Sequence, residues 1–462
     1  MTEDPLVIGA RRKIDPTRRP AQPPQQPADT RRPISDTDAL PDGSPNDENR
    51  VEIGPTDLAF REWAALGLTP PNLEAMRAYR HARLVREIQL RGLGGVLMFD
   101  PLNIRYATDT TNMQLWISHN PSRACLVLAD GTMILYDFHH CEHLSAHLPL
   151  VTEVRGGASL YYFKTGPRTA EMADRFAAEI DDLMRTHAPG YRGLAVDKIE
   201  LAGSDSLRAR GLTLHEGQAV TEHARKIKSA EEIRAMRCAI ATCEAAMAEM
   251  EAALTPGMTE VEAWAVLQHG NHIRGGEWIE TRILSSGPRT NPWFQECGPR
   301  RMRDGEILAY DTDLIGPYGY CADLSRTCVV GDADPGDYAR DVYKAAREHI
   351  RRNMEILRPG ATFRELAYAG DQLPTRFRDQ RYGVKYHGVG LCDEYPAIRY
   401  PEDWSGGYDG VLEPGMCLCV EVYYGEVGGP LGIKLEDQVV ITETGYENLT
   451  RFPFDPRLSG EG

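Results

Sequence analysis

Acidic side chains recur inside apolar, strand-like runs in the second half of this 462-residue sequence. Asp311, Asp313 and Asp323 stand among β-branched and aromatic residues in EILAYDTDLIGPYGYCADLSRTCVV. His387 opens HGVG, Glu421 lies in MCLCVEVYYGE, and Glu436 lies in GIKLEDQVVIT. A carboxylate buried without a partner costs several kcal/mol, so each of these demands an explanation. One could be a buried salt bridge. Several, together with an imidazole, more economically describe ligands for one or two hard-to-borderline cations. Asp313, Asp323, His387, Glu421 and Glu436 are the expected core of that site.

Regular elements must hold these groups. KIKSAEEIRAMRCAIATCEAAMAEMEAAL reads as a long helix, with Ser229 as N-cap and Glu232 completing a capping box. LTPGMTEVEA near 254–263 is echoed by LRPGATFREL near 357–366. In both, Pro-Gly ends one helix, and Thr259 with Glu262, or Thr362 with Glu365, caps the next, which suggests two related halves. Upstream, NLEAMRAYRHARLVREIQLRGL has helical spacing, with Gly92 near its end. Strand-like GVLMFD, RACLVLAD and GTMILYDF follow, then a helical stretch near 168–187. This pattern predicts an α/β unit with strands covered by helices over about 70–220. It holds no Gly-rich phosphate loop and no nucleophile elbow, so its expected role is architectural, supplying a wall of the active site.

The length suits two to three domains, and the composition (42% hydrophobic, 26% charged) is ordinary for a soluble protein. A formal net charge of -16 argues against nucleic acid or an anionic membrane as the main partner. The start, MTEDPLVIGARRK, lacks the apolar stretch of a signal peptide, and no later run could span a bilayer. The expected location is the cytoplasm. Residues 10–50, rich in Pro, Asp, Arg and Gln, cannot bury enough surface to fold alone. They are expected to be disordered or laid as an arm over the body or a partner subunit. The ten cysteines lack a framework spacing and read as reduced thiols. Cys417 and Cys419 share one face of a strand and read as packing, since a zinc site would normally show a second pair. His139 and His140, in DFHHCEH, read as a polar loop.

The acidic segments resemble the pita-bread superfamily of methionine aminopeptidases, prolidases and creatinases. The shared pattern appears as Asp313, Gly319-Tyr320, Asp323-Leu-Ser-Arg-Thr, His387-Gly-Val-Gly, Glu421 and Glu436-Asp437. RKIKSAEEI, which leads into the helical half, looks like the family too, and the preceding domain looks like that of prolidases and creatinases. The resemblance implies an α/β protein with a Pro-rich arm over 1–54. A creatinase/prolidase-like N-terminal domain over 55–222 and a pseudo-two-fold pita-bread metal-binding domain over 223–462 would follow. It also implies two metals in the central sheet and a homodimer.

Three departures bear on the reaction. Thr312 takes the register of the peptidases' first Asp, with Asp311 and Asp313 on either side. On a regular strand Asp311 and Asp313 would share a face and Thr312 would point away, so the site gains a carboxylate. Trp293, in GPRTNPWFQ, stands where the peptidases have a histidine, and Asp393, in HGVGLCDEYP, stands where they have a second. Those histidines position substrate and stabilise the tetrahedral intermediate, so ordinary peptide cleavage is disfavoured. Creatinases lack the metal ligands, which argues against that activity.

D-T-D, the Asp of HGVGLCDEYP and the Pro-rich N-terminus together resemble dimethylsulfoniopropionate lyases of the DddP type. That branch implies Asp311, Asp313, Asp323, His387, Glu421 and Glu436 as metal ligands, and Tyr382 and Asp393 as catalytic residues. It implies cleavage of a zwitterionic sulfonium substrate to dimethyl sulfide and acrylate by base-catalysed β-elimination. Five carboxylates and one imidazole favour iron, with manganese or zinc as alternatives. Asp393 suits the base if carboxylates and an apolar wall raise its pKa, while Tyr382 would orient substrate or relay a proton. Trp293, Tyr161, Tyr162 and Tyr386 are candidate faces for the sulfonium. An X-Pro dipeptidase with an altered site, and a non-catalytic binding module, are the competing readings.

Overall fold

The computed structural model describes residues 40–44 and 53–460, so the Pro-rich segment lies almost wholly outside the described residues. Short runs such as GVLM and ACLVL are apolar throughout because both sheet faces are covered. Gly95–Met98 (β1), Ala124–Leu128 (β2), Met133–Asp137 (β3), Glu153–Gly156 (β4), Gly193–Val196 (β5) and Thr213–Glu216 (β6) form one sheet. Its order is β4-β3-β2-β1-β5-β6. Met76, Leu84 and Ile88 of the Leu73–Leu90 helix pack with Val96, Met98 and Val127. The Thr169–His187 helix packs Phe176, Ile180 and Met184 against Leu97, Leu126 and Leu194, which alternate to the other face.

The second half repeats a motif of helix, Pro-Gly turn and capped helix. The Ala230–Ala253 and Glu260–His272 helices both start with full capping boxes, at Ser229/Glu232 and Thr259/Glu262. The Phe363–Ala369 helix is capped by Thr362, whose side chain accepts from Glu365 N. Each Thr cap also makes an isolated antiparallel bridge, Thr259 to Arg301 and Thr362 to Val411. The echo between the two sequence stretches therefore marks equivalent places in two halves.

Strands fill the space between the helix pairs. Trp278–Ile279 (β7), Leu284–Ser286 (β8), Ile307–Asp311 (β9), Leu314–Ile315 (β10), Cys321–Ala322 (β11) and Ser325–Val329 (β12) belong to the first half. They form two small sheets, β11-β10-β7 and β12-β9-β8. Tyr386–Val389 (β13), Asp393–Ile398 (β14), Cys417–Gly425 (β15), Gly432–Ile441 (β16) and Tyr446–Asn448 (β17) form a sheet in the order β14-β13-β15-β16-β17. On its central antiparallel pair Glu421 faces Glu436, Tyr423 faces Lys434 and Cys419 faces Gln438, while His387 of β13 lies opposite Cys419. Cys417 and Cys419 are both buried there, on the face shared with Glu421, and no second cysteine pair joins them.

Side chains lock β12 to β16. Thr327 Oγ1 donates to Lys434 O at 3.0 Å. The fully buried Arg326 donates to Glu436 O at 2.7 Å, to Asp437 Oδ1 at 2.8 Å and to Phe452 O at 2.7 Å. Arg80 joins the two units: its Nη2 donates to Tyr320 Oη at 2.8 Å, and it pairs with Glu232 of the helix cap.

Replacing Arg326 with Met leaves Asp437 buried without its cation. The expected loss is about 3–5 kcal/mol of unfolding free energy, read as a lower denaturant midpoint.

Candidate metal centre

The strands above converge on one cluster of acids. Ligand atoms of Asp311, Asp313 and Asp323 lie within 4.8 Å of one another, as do those of Asp323, His387, Cys419 and Glu436. His387 points Nε2 at three carboxylates: Glu421 Oε1 and Glu436 Oε1 at 3.3 Å each, and Asp323 Oδ2 at 3.5 Å. All six expected ligands are thus in one place. Glu421 and Glu436 come from strands whose alternation is regular, Glu421 sharing a face of β15 with Cys419 and Tyr423 and Glu436 a face of β16 with Lys434. His387, by contrast, sits at a register shift in β13, and Asp323 lies between β11 and β12.

Asp313 arrives by a different route from the one expected. Strand β9 ends at Asp311, and Asp313 takes a left-handed backbone with φ 37° before β10 begins. Simple alternation does not carry it to the site; a kink between two strands of different sheets does. The kink is held by Glu280 N donating to Asp313 O at 2.9 Å and by Thr281 Oγ1 donating to Asp313 Oδ2. Thr312 turns away, as expected, and its Oγ1 donates to Ala322 O and accepts from Leu324 N.

The cluster fits a cation on its own chemistry. Asp323 Oδ1 is buried and makes no hydrogen bond, and Glu421, fully buried, is met only by the ion-pair contacts of Lys434 and His387. Burial, then neighbouring carboxylates, pushes Asp323 and Asp313 well above the usual carboxylate range. Burial raises Asp311 despite Lys434, and lifts Glu421 to about 8. Burial also works against Glu436, but Lys434 and His387 outweigh it and hold that carboxyl below its ordinary range. Protons occupy sites that oxygen-seeking cations would take. The donor set of five carboxylates and one imidazole is that of a hard-to-borderline divalent ion.

Lys434 is the principal residue that the acidic pattern did not single out. Its Nζ is completely buried, 2.8 Å from both Glu421 Oε2 and Glu436 Oε2 and 3.1 Å from Asp311 Oδ2. A signal was present: lysine two residues before Glu436 in an apolar strand is as anomalous as the carboxylates, and shares their face. Ser325, whose Oγ is 2.7 Å from both Asp311 Oδ1 and Glu436 Oε2, was overlooked as well.

The remaining candidates divide. Trp293 and Tyr382 reach the cluster: both pack with Tyr423 and Ala309, and their rings lie 5.8 and 4.6 Å from Lys434 Nζ. Glu421, then burial, pushes the Tyr382 phenol far above its usual range, so it stays protonated and is a hydrogen-bond donor. Asp393 stands at the rim, its side chain 65% exposed and its Oδ1 3.5 Å from His387 Nδ1. The expected apolar wall is not around it. Glu280, also at the rim, is a carboxylate the sequence reading passed over, and burial with the nearby Asp393 pushes it up to about 7.

Three expected aromatic faces are not brought to the cluster. Tyr386 alternates with His387 and so points to the opposite side of β13, where its hydroxyl donates to Asn353 O at 3.1 Å inside the helical core. Tyr161 stacks with Phe163 and meets Trp116 edge-on in the first unit. Tyr162 is 72% exposed. His139 and His140 lie against each other with tilted rings after β3 and join no metal-capable group among the described residues.

The chain is similar to known proteins. The profile of metallopeptidase family M24 matches residues 234–443. The "Dimethylsulfoniopropionate lyase DddP" of Roseobacter denitrificans is 54% identical over 91% of this chain and 96% of its own. That of Roseovarius nubinhibens is 55% identical over the same shares. A solved Xaa-Pro dipeptidase from Bacillus anthracis has TM-score 0.64 at 22% identity, covering 81% of this chain and 98% of its own, and it shares the fold.

The raised carboxylates set a pH dependence. A carboxyl whose folded pKa lies above its unfolded value binds an extra proton when folded, so stability falls as pH rises through that interval. Metal-free protein is therefore expected to lose stability as pH rises above about 5, with the contribution of Glu421 lost by about pH 8. Manganese should reverse the trend, with proton release on binding. Thermal unfolding across this range, with and without Mn²⁺, checks it; a stability that rises with pH in the metal-free protein refutes it.

Proposed function

The chain belongs to the family of DddP-type dimethylsulfoniopropionate lyases, built on the metallopeptidase M24 fold, and we propose that it cleaves dimethylsulfoniopropionate to dimethyl sulfide and acrylate. Near-full-length identity above half with proteins named for that activity carries this reading. The site supports it: His387 is the only histidine at the acidic cluster among the described residues, with Trp293 beside the cluster and Asp393 at its rim.

The six ligands would be Asp311, Asp313, Asp323, His387, Glu421 and Glu436, holding one or two divalent ions, iron foremost. When bound, such an ion supplies positive charge that stabilises the enolate-like charge on the substrate carboxylate. Asp393, exposed at the rim, takes the proton from the carbon beside that carboxylate. The C–H electron pair becomes the C=C bond, and the C–S pair leaves with sulfur as neutral dimethyl sulfide. Tyr382, held protonated, orients the substrate by donating a hydrogen bond. Of the four aromatic candidates, Trp293 alone stands beside the cluster and supplies a ring face for the sulfonium. The family resemblance extends the proposal to a cytoplasmic homodimer; no helix among the described residues is long and apolar enough to cross a membrane.

A second role for Asp393 is favoured by its 3.5 Å approach to His387 Nδ1, which would fix the imidazole's orientation. Purified, metal-loaded protein should release dimethyl sulfide measured by headspace gas chromatography, above a metal-only control, and should leave an X-Pro dipeptide panel intact. Asp393→Asn should lower turnover by about 100- to 10,000-fold with its metal content retained. Near-normal turnover removes Asp393 as the base, and loss of metal instead assigns it to His387.

A further inference from the structure

Lys434 is enclosed by protein on every side the structure describes. Its ammonium meets carboxylate oxygens of Asp311, Glu421 and Glu436 at 3.1, 2.8 and 2.8 Å. Ser325 Oγ lies at 2.8 Å, and the rings of Tyr382 and Trp293 close the remaining side at 4.6 and 5.8 Å. With no exposed surface it is not placed to hold substrate. The oxygens it touches belong to residues assigned above as metal ligands, so ammonium and metal draw on the same charge.

We propose that Lys434 is a resident counter-cation of the metal centre, which weakens the hold on the second of two divalent ions. This rests on the ligand assignment made under the proposed function. Five ligand carboxylates, one ammonium and two divalent ions are together neutral. A neutral centre suits a substrate that carries one positive and one negative charge, because binding adds no net charge to a buried site. Once the first ion is bound, the second meets two net negative charges; without the ammonium it would meet three. In a weakly screened interior one charge a few ångströms away changes ion affinity by a large factor. Lysine rather than a neutral residue at this place keeps the second ion exchangeable.

Mn²⁺ binding by equilibrium dialysis, with free Mn²⁺ followed by electron paramagnetic resonance, tests the proposal. Lys434→Met should tighten the second dissociation constant by about tenfold or more, while Lys434→Arg, which keeps the charge, should leave it near wild type. An unchanged second constant in Lys434→Met overturns the proposal, as does an equal tightening in Lys434→Arg. Should Lys434→Met fail to fold, the comparison is made on Asp311→Asn, where the buried negative charge is smaller. Adding Lys434→Met to that variant should again tighten the weaker ion, and no tightening overturns the proposal. Wild type that binds no Mn²⁺ defeats the ligand assignment itself and this proposal with it, whereas two bound ions indifferent to residue 434 defeat only the proposal.

Discussion

Carboxylates packed away from water around one imidazole repel one another, and the architecture near them is arranged around that repulsion. Five carboxylates lie within a few ångströms, and most are buried enough that their charged forms are disfavoured. Water is absent as a screen, so charge must be balanced locally. Lys434 supplies one unit of that balance and a bound divalent ion would supply more. The orphaned Oδ1 of Asp323 marks where that balance is incomplete in protein alone.

Holding mutually repelling groups together needs a stiff frame, and two strand systems joined by polar side chains provide it. Arg326 reaches from β12 to the backbone of Glu436 and to Asp437, and Ser325 bridges Asp311 and Glu436. Both residues belong to the Asp-Leu-Ser-Arg-Thr run that also carries Asp323. One short stretch therefore delivers a carboxylate of the cluster and the clamps that keep others in register. The preceding unit is tied to this frame through Arg80, Glu232 and Tyr320.

Exposed acids sit at the edge of this frame. The buried centre gathers charge, while Asp393 and Glu280 stand at the rim, open to solvent. His387 links the two regions, with Nε2 directed at three buried carboxylates and Nδ1 towards Asp393. The fold is shared with a solved Xaa-Pro dipeptidase, and a shared fold does not by itself fix a reaction, which depends on the groups set around the cluster.

Local pattern alone determined the helices, their capping boxes and the acidic strand set. Period-two alternation puts Glu421, Cys419 and Tyr423 on one face, and Glu436 with Lys434 on another, in any fold that builds these strands. Two related halves were legible for the same reason, since a Pro-Gly turn and a Thr cap are local devices. Tertiary structure decided what depends on a second element. Asp313 reaches the cluster through a left-handed kink pinned by Glu280 and Thr281, which no alternation rule contains. Tyr386 faces the helical core because its neighbour His387 takes the opposite side of the same strand. Lys434 has meaning only once strands from both halves bring three carboxylates around it, because a charge is read through its surroundings and those come from distant sequence.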